Sequence, residues 1–414
     1  MKRLVVLLVL SASPAAAQPA TIDQLVATAL ARSPELRAAR AAIPAGEGDV
    51  TQAQLRSNPM LTAGHQQQVG GSDRQTDVTV EWPLALGRRP ARTVAAAQQL
   101  EVTRAAVADR ERLLAAAVRE QAGRVLAAQR VVAIADEALT SARSLRDLLE
   151  RRASEGVIPQ LEANQSALEM WRLEAERAFA AADAEVATIE LKTLVGLPPD
   201  APLALGESLE GIVRAAPAGA EPAASVRADV REAGARVALG DARIELARRE
   251  GGVDLSLFGG YSQMRIGFSQ FGLDASGRPA PIDGTFHYVG FGTTIALPLW
   301  NRNQGTLATA AAERDGARAL VAARELAARA ELEAAAARDR EARRAVDLYA
   351  ASIRALALRN ADVILEAYEL GAVRLMDLLD NQRRYLDIER TYTDTLLKAY
   401  DARVALQRAR GEIR

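Results

Sequence analysis

Two stretches, from about Pro90 to Ala153 and from about Asn303 to Leu370, run for about sixty residues each with frequent alanine and no proline beyond the first turn. At ~1.5 Å rise per residue, each predicts a helix of roughly 90–100 Å. A rod of that length exceeds any globular domain and has to be flanked by other helices along its course. Each run ends at a short turn, "SEGVIPQ" or "LGAVRLM", after which a second helix returns over Leu161–Val195 and Leu375–Arg410. In the last helix Leu375, Leu378, Leu379, Tyr385, Leu386, Tyr392, Leu396, Leu397, Tyr400 and Val404 form an apolar stripe wider than a two-stranded seam requires. A helix in the wall of a cylinder, touching a neighbour on each side, carries such a stripe; so does a helix buried in an ordinary bundle.

The two long hairpins belong to a tandem duplication. "WPLALGRRPARTVAAAQ" starts at Trp82, and "LPLWNRNQGTLATAAAE" follows 215 residues later (297 − 82) at Leu297. At the same offset Pro83 matches Pro298, Gly156 matches Gly371 and Gly196 matches Gly411. Alanine bias does not place prolines and glycines, so the period is a repeat. Upstream, "SPELRAARAA" at Ser33 matches the region of "VRADVREAGA" at a shorter offset, which requires an insertion in the second copy. The Gly/Pro/Asp-rich stretch "FGLDASGRPAPIDG" is the expected site, as a loop absent from the first copy. The expected organisation is a first repeat over 18–222, with a β-hairpin at about 60–82 and a helical hairpin at about 90–196. The second spans 223–414, with a β-hairpin at about 253–298 and a helical hairpin at about 303–411.

Between the upstream helices and each rod lie two extended segments around a polar turn. In the second copy Val289, Phe291, Ile295 and Leu297 alternate with Tyr288, Gly290, Gly292, Thr294 and Ala296, the period of strands with one apolar face. Phe258, Tyr261, Phe268, Phe271, Phe286, Tyr288, Phe291 and Trp300 cluster here in a chain with 4% aromatics, which predicts a membrane-interface girdle. Two hairpins supply four strands, too few to close a barrel. An open sheet edge in lipid leaves backbone groups unpaired at several kcal/mol each. If these strands face lipid, several chains must share one barrel, and the duplication makes that ring pseudo-symmetric.

Composition narrows the alternatives. The formal net charge is −1, which argues against a nucleic-acid groove. Cysteine is absent and histidine occurs only at His65 and His287, so no metal centre, cofactor site or catalytic triad is expected. The two histidines read as polar, lumen-facing strand positions. Lys2 and Arg3, the apolar run Leu4–Leu10 and Ala15-Ala16-Ala17 predict a signal peptide over residues 1–17.

The duplicated helix–hairpin–long-hairpin unit, the "SPEL" opening, "WPLALGRR", the turn with Gly371, Asp377 and Leu379, and the terminal "LQRARG" together resemble the TolC family of outer-membrane efflux proteins. The resemblance covers nearly the whole mature chain. It implies a mainly α fold with transmembrane β: a homotrimer whose helical hairpins form an α-barrel tunnel in the periplasm, joined to a shared twelve-stranded barrel in the outer membrane. It implies a passive exit duct, not an enzyme, partnered by a periplasmic adaptor and an inner-membrane RND-type pump. "WPLALGRRPAR" resembles the heavy-metal branch of that family, with drug-efflux and protein-secretion ducts as alternatives of the same fold. A periplasmic coiled-coil scaffold without a pore is the alternative of a different class; it leaves the amphipathic hairpins unexplained.

The resemblance also places a periplasmic gate where the long helices turn back. Asp377 and Asp380 match the family's acidic pair, Tyr368 its gating tyrosine, and Arg374 stands one position beyond its basic partner. Glu162 is the first copy's equivalent of Asp377, and the turns at Gly156 and Gly371 are the implied adaptor-docking surface. Carboxylates gathered by rotational symmetry attract cations. Equally, acids in the first turn of a helix cap it.

Overall fold

The computed structural model describes residues 19–215 and 227–412; the expected signal peptide and the junction between repeats lie outside them. The first repeat holds α1 (Ile22–Arg32), α2 (Pro34–Arg40), α3 (Ala42–Gln54), β1 (Met60–Gln67), β2 (Arg74–Leu84), α4 (Arg88–Ser154), α5 (Gln160–Val195) and α6 (Leu209–Arg214). The second holds α7 (Ala228–Glu250), β3 (Asp254–Leu273), β4 (Pro279–Ala296), α8 (Gln304–Leu348), α9 (Arg354–Glu369) and α10 (Leu375–Arg410). α4 alone has 67 residues, about 100 Å of helix. The second rod is not continuous, because one π-helical turn, Tyr349–Ile353, separates α8 from α9.

The chain divides into two compact units. The first comprises the described parts of Met1–Arg40, Val107–Ala228 and Glu325–Arg414. Its main core gathers Leu25 and Val26 of α1, Val118 and Val125 of α4, Leu191 and Val195 of α5, and Tyr392, Leu396 and Val404 of α10. Thr21 opens α1 with a capping box shared with Gln24. Gly123 lets α10 approach α4, since a Cβ there would lie 2.5 Å from the Tyr400 ring. Beside the π-turn, Tyr392 stacks on Tyr349 at 6.4 Å between the Arg130 and Arg354 guanidinium groups, 5.4 and 5.5 Å from its ring centre. Both arginines also pair with Glu389, a carboxylate only 3% exposed. The inserted backbone turn and the buried cation–π stack coincide, and such turns arise where a helix accommodates a local packing demand.

The second unit, Ala41–Ala106 and Asp229–Arg324, contains one antiparallel sheet in the order β1-β2-β3-β4. Directly opposed residues share a face, so the register sorts the side chains. One face carries successive rows of Leu255, Ile295 and Leu84; Leu257, Thr293 and Trp82; Phe291, Val80 and Leu61; and Tyr261, Val289, Val78 and Ala63. These rows span about 20 Å along the strands. Val289 and Phe291 are 80% and 88% exposed, so nothing among the described residues covers this face. The next rows on the same face are polar: Gln263, His287, Thr76 and His65, then Arg265, Thr285, Arg74 and Gln67. The opposite face is polar beside the apolar rows, with Asp77, Thr79, Glu81, Ser256 and Thr294, and turns apolar further out at Met264 and Phe286, then Phe268 and Ile282.

Three expectations change here. The stretch 271–284 is not a loop: it forms the ends of β3 and β4 around a turn at Asp274–Arg278. The insertion lengthened an existing hairpin, whose strands have 20 and 18 residues against 8 and 11 in the first copy. The aromatics do not make one girdle, because Phe258, Phe268, Phe286 and Tyr288 lie on the face opposite Tyr261, Phe291 and Trp82. His65 and His287 do not share the face of the polar inner rows. They sit on the apolar-row face at its polar margin, where His65 Nδ1 meets Thr76 Oγ1 at 2.9 Å and Tyr261 OH meets His287 Nδ1 at 2.6 Å. In each case alternation was readable, but not the register that sets which strand positions coincide.

Among the helices, Asp401 of α10 is set against α4 with its Oδ1 lacking a partner. Burial lifts its carboxyl to about 6, the Glu120 charge adding and Arg124 opposing. Because folding favours the protonated form, this group's contribution is full below about pH 4 and is lost as pH rises through about 6. We therefore expect Asp401→Asn to stabilise the protein by about 1 kcal/mol at about pH 7.5 and to give no advantage near pH 4. Thermal unfolding of detergent-solubilised protein at the two pH values tests this; a destabilised variant at the higher pH would contradict it.

Candidate gate at the helical turns

α4 and α9 end in the same way. Gly156 and Gly371 take left-handed backbone, φ 77° and 73°. Gly156 N–H donates to the Ala153 carbonyl and Val157 N–H to that of Arg152; Gly371 N–H donates to Tyr368 and Ala372 N–H to Ala367. This pair of bonds is a Schellman closure, which needs glycine for its positive φ. A Cβ at either position would meet nothing within 4 Å, so conformation and not crowding selects the residue. A small apolar cluster of Leu149, Ala163, Leu375, Leu378 and Leu379 binds the two turns together, with Ile158, Ile364 and Tyr368 packed around it.

The structure divides the candidate gate residues into three contacts. Tyr368 is half-buried, with Glu162 of the first turn of α5 as its neighbour. Burial and the neighbouring Glu162 charge raise its phenol above the ordinary tyrosine range, against the opposing pull of Arg152. The end of the second outgoing helix thus lies beside the start of the first returning one. Asp377 caps α10: its Oδ2 accepts from the Arg374 backbone N–H at 3.2 Å and from Arg374 Nε at 3.4 Å. Arg374 thus serves the helix start directly. Asp380 is exposed and pairs with Arg383 at 3.3 Å.

Beyond these, the structure reveals a ladder between the returning helices. Glu169 of α5 is buried and accepts from Arg383 Nη2 of α10 at 2.7 Å and from Arg172 of its own helix. One heptad further on, Glu176 accepts from Arg390 at 2.5 Å. Both ties join residues 214 apart, one short of the repeat offset, so equivalent levels of the two copies face each other. Acids seven apart on one helix and arginines seven apart on its duplicate were the available signal. Burial of Glu169 raises its carboxyl, but hydrogen bonds from Arg172 and Arg383 win and bring it below the ordinary glutamate range. Among the described residues no group of three or more His, Asp or Glu is placed to hold a metal ion. No described helix is long and apolar enough to cross a membrane.

The described residues hold duplicated long helical hairpins and a four-stranded sheet with an uncovered apolar band. The family described as outer membrane efflux protein matches residues 25–197. Over that stretch the chain resembles the TolC-type family. It is 25% identical over 397 residues to the cobalt-zinc-cadmium resistance protein CzcC of Cupriavidus metallidurans, covering 96% of this chain and 91% of that one. Its fold matches crystal structures of CusC with a TM-score of 0.76 at 19% identity, over 96% of this chain and 95% of that one. It also matches the open-state MtrE channel of Neisseria gonorrhoeae with a TM-score of 0.74 at 20% identity, over 94% and 88% of the two chains.

Because Glu169 has a depressed carboxyl pKa, its contribution is present above the ordinary glutamate pKa and is lost as pH falls through the native value. Glu169→Gln should lower stability by about 1–3 kcal/mol at neutral pH, Arg172 and Arg383 being partly solvated, and by little once the pH has fallen below the native carboxyl's depressed value. Chemical unfolding followed by circular dichroism reads the difference; equal loss at both pH values would remove the ion ladder as its cause.

Proposed function

We propose that three copies of this chain close one twelve-stranded barrel in the outer membrane and continue as a helical tunnel into the periplasm, forming the passive exit duct of a tripartite efflux system. One observation carries this reading. The sheet has four strands, two open edges and one face with four successive apolar rows left uncovered among the described residues. Lipid outside and water inside account for the two faces, and neighbouring copies account for the edges. A soluble scaffold has no use for either.

The turns at Gly156 and Gly371 then form the periplasmic tip and the surface for a periplasmic adaptor. Energy comes from an inner-membrane pump of RND type, since a passive conduit supplies none. At the tip, threefold symmetry would gather three copies of Asp380, which is exposed, and of Asp377, which is half-exposed while it caps its helix. Such a ring holds cations. Tyr368, packed on the apolar cluster of the tip beside Glu162, would keep the second hairpin against the first, and loosening it would release α9 outward. Heavy-metal cations are the cargo best supported, on the likeness to a cobalt-zinc-cadmium resistance protein over nearly the full chain.

In planar bilayers, the double variant Asp377→Ala, Asp380→Ala should lose most of the block by divalent cations added at the periplasmic side. Tyr368→Phe, which keeps the ring packing but removes the hydroxyl beside Glu162, should raise resting conductance several-fold. Unchanged block in the first variant would remove the acidic ring from the gate; unchanged conductance in the second would remove the tyrosine tie.

A further inference from the structure

Of the helices that meet near the turns, two expose large apolar side chains in a regular line. Among the described residues, α4 shows none beyond Leu113 and α10 only Met376. On α5, Leu161, Leu168 and Trp171 are exposed, and Ala175 and Ala182 carry the line on at intervals of seven. On α9, Leu356, Val363 and Leu370 are exposed, again seven apart. These large side chains are 52–79% exposed, so the described part of the chain leaves both lines uncovered. At ~100° per residue, each line lies opposite the packed side of its helix, which is Ser166, Glu169 and Leu173 on α5 and Ala357, Ile364 and Tyr368 on α9. The line on α9 also continues across the π-turn. An unbroken helix would place Tyr349 on it, seven before Leu356. The extra residue of the π-turn puts Leu348 there instead, which is exposed, and leaves Tyr349 to stack on Tyr392.

We propose that α9 of one copy packs antiparallel on α5 of the next, along a seam of apolar layers that the π-turn brings into phase. The inference rests on the trimer proposed above and names the surfaces that join its helical part. α9 runs toward the turns and α5 away from them, so neighbouring copies in a ring set the two antiparallel. Leu370 precedes the Gly371 turn and Leu161 stands in the first turn of α5, which puts both at the same level. From there each step of seven along α5 meets a step of seven back along α9. Leu161 meets Leu370, Leu168 meets Val363 and Ala175 meets Leu356, the knobs-and-holes spacing of a helix pair. Ala182 then meets Leu348, and the leucine-on-alanine layers let the helices run close without a void. Between the second and third layers Trp171 falls level with Arg359 and Asn360, a cation and an amide that suit an indole's face and its N–H. The occupant is a second copy because the two lines match each other in spacing and length. Pairing α5 with α5 would leave α9 in water, whereas pairing each with the other covers both. Such a contact between unlike faces is heterologous, and heterologous contacts close rings.

The chain has no cysteine, so introduced cysteines report without background. Pairs are made in the full-length protein and oxidised mildly in outer-membrane preparations. Leu168→Cys with Val363→Cys should link at least half of the chains into covalent dimers and trimers on denaturing gels. Leu168→Cys with Leu356→Cys, one layer out of register, should link at least fivefold less. Ala182→Cys should link with Leu348→Cys, and at least fivefold less with Tyr349→Cys. A bulky charged maleimide should label the single variant Leu168→Cys at least tenfold more slowly than Ser144→Cys on the exposed side of α4. If the unboiled protein migrates as a trimer but the in-register pairs do not link, the seam is wrong and the duct stands. Labelling of Leu168→Cys as fast as Ser144→Cys also overturns the seam and leaves the line to another partner. Disulfides formed only within single chains overturn it as well. Equal linking of Leu348→Cys and Tyr349→Cys removes the π-turn as the phasing device. If no trimer is present in unboiled samples, the shared barrel fails and the seam with it.

Discussion

The unpaired edges of β1 and β4 are the constraint from which the rest of the structure follows. A sheet edge presents a row of N–H and C=O groups that water can satisfy and lipid cannot. The apolar rows on one face commit the sheet to lipid, and the edges then commit it to neighbours. With four strands per chain, the proposed assembly solves the edge problem by letting β4 of one copy meet β1 of the next. The long helices leaving the base of the strands are subject to the same requirement. Many of their apolar residues are buried within the chain, but Leu168, Trp171, Phe179 and Val363 remain widely exposed, as helices in a shared wall require.

Duplication supplies two nearly equivalent staves, and the contacts between copies show what equivalence permits. The Schellman closures at Gly156 and Gly371, and again at Gly196 and Gly411, repeat bond for bond. The Glu169–Arg383 and Glu176–Arg390 ladder does not repeat, because one copy provides acids where the other provides bases. Backbone geometry is kept by both halves, since every helical turn needs it. Side-chain chemistry diverges, since a contact between halves needs complementarity. The π-turn at Tyr349–Ile353 extends that divergence: only the second outgoing helix carries it, beside the Tyr392 stack and the buried Glu389. The helix tied to the tip by Tyr368 is thus also the one whose hydrogen-bond ladder is already interrupted.

Much of this was legible in the sequence, for identifiable reasons. Proline-free alanine-rich runs set the helices, and glycines with no alternative to positive φ marked their ends. Strand alternation located the hairpins. What the sequence concealed was register and partnership. Alternation alone sets Phe286 and Phe291 on opposite faces of β4, yet only the pairing with β3 shows that Phe286 stands opposite Met264 and Phe291 opposite Gly259. The Gly/Pro/Asp content of 271–284 suggested a loop, although glycines at 272 and 284 are strand residues that make room for Ile282, Phe286 and Phe268. Asp377 satisfies the requirements of a cap and of an acidic ring with one carboxylate, so residue type alone could not separate the two readings.

The two ends of the proposed duct differ in chemistry as their surroundings demand. At the periplasmic tip the walls are helices whose first turns present N–H groups, so acids are held there at little cost and still leave charge facing the axis. A charged ring stays hydrated and binds cations rather than excluding water. At the outer end the walls are strands with no free dipole to hold a charge, and what projects there is the hairpin lengthened by insertion. A charged tip responds to a partner that pulls helices apart, so a duct of this kind leaves its opening to its partner.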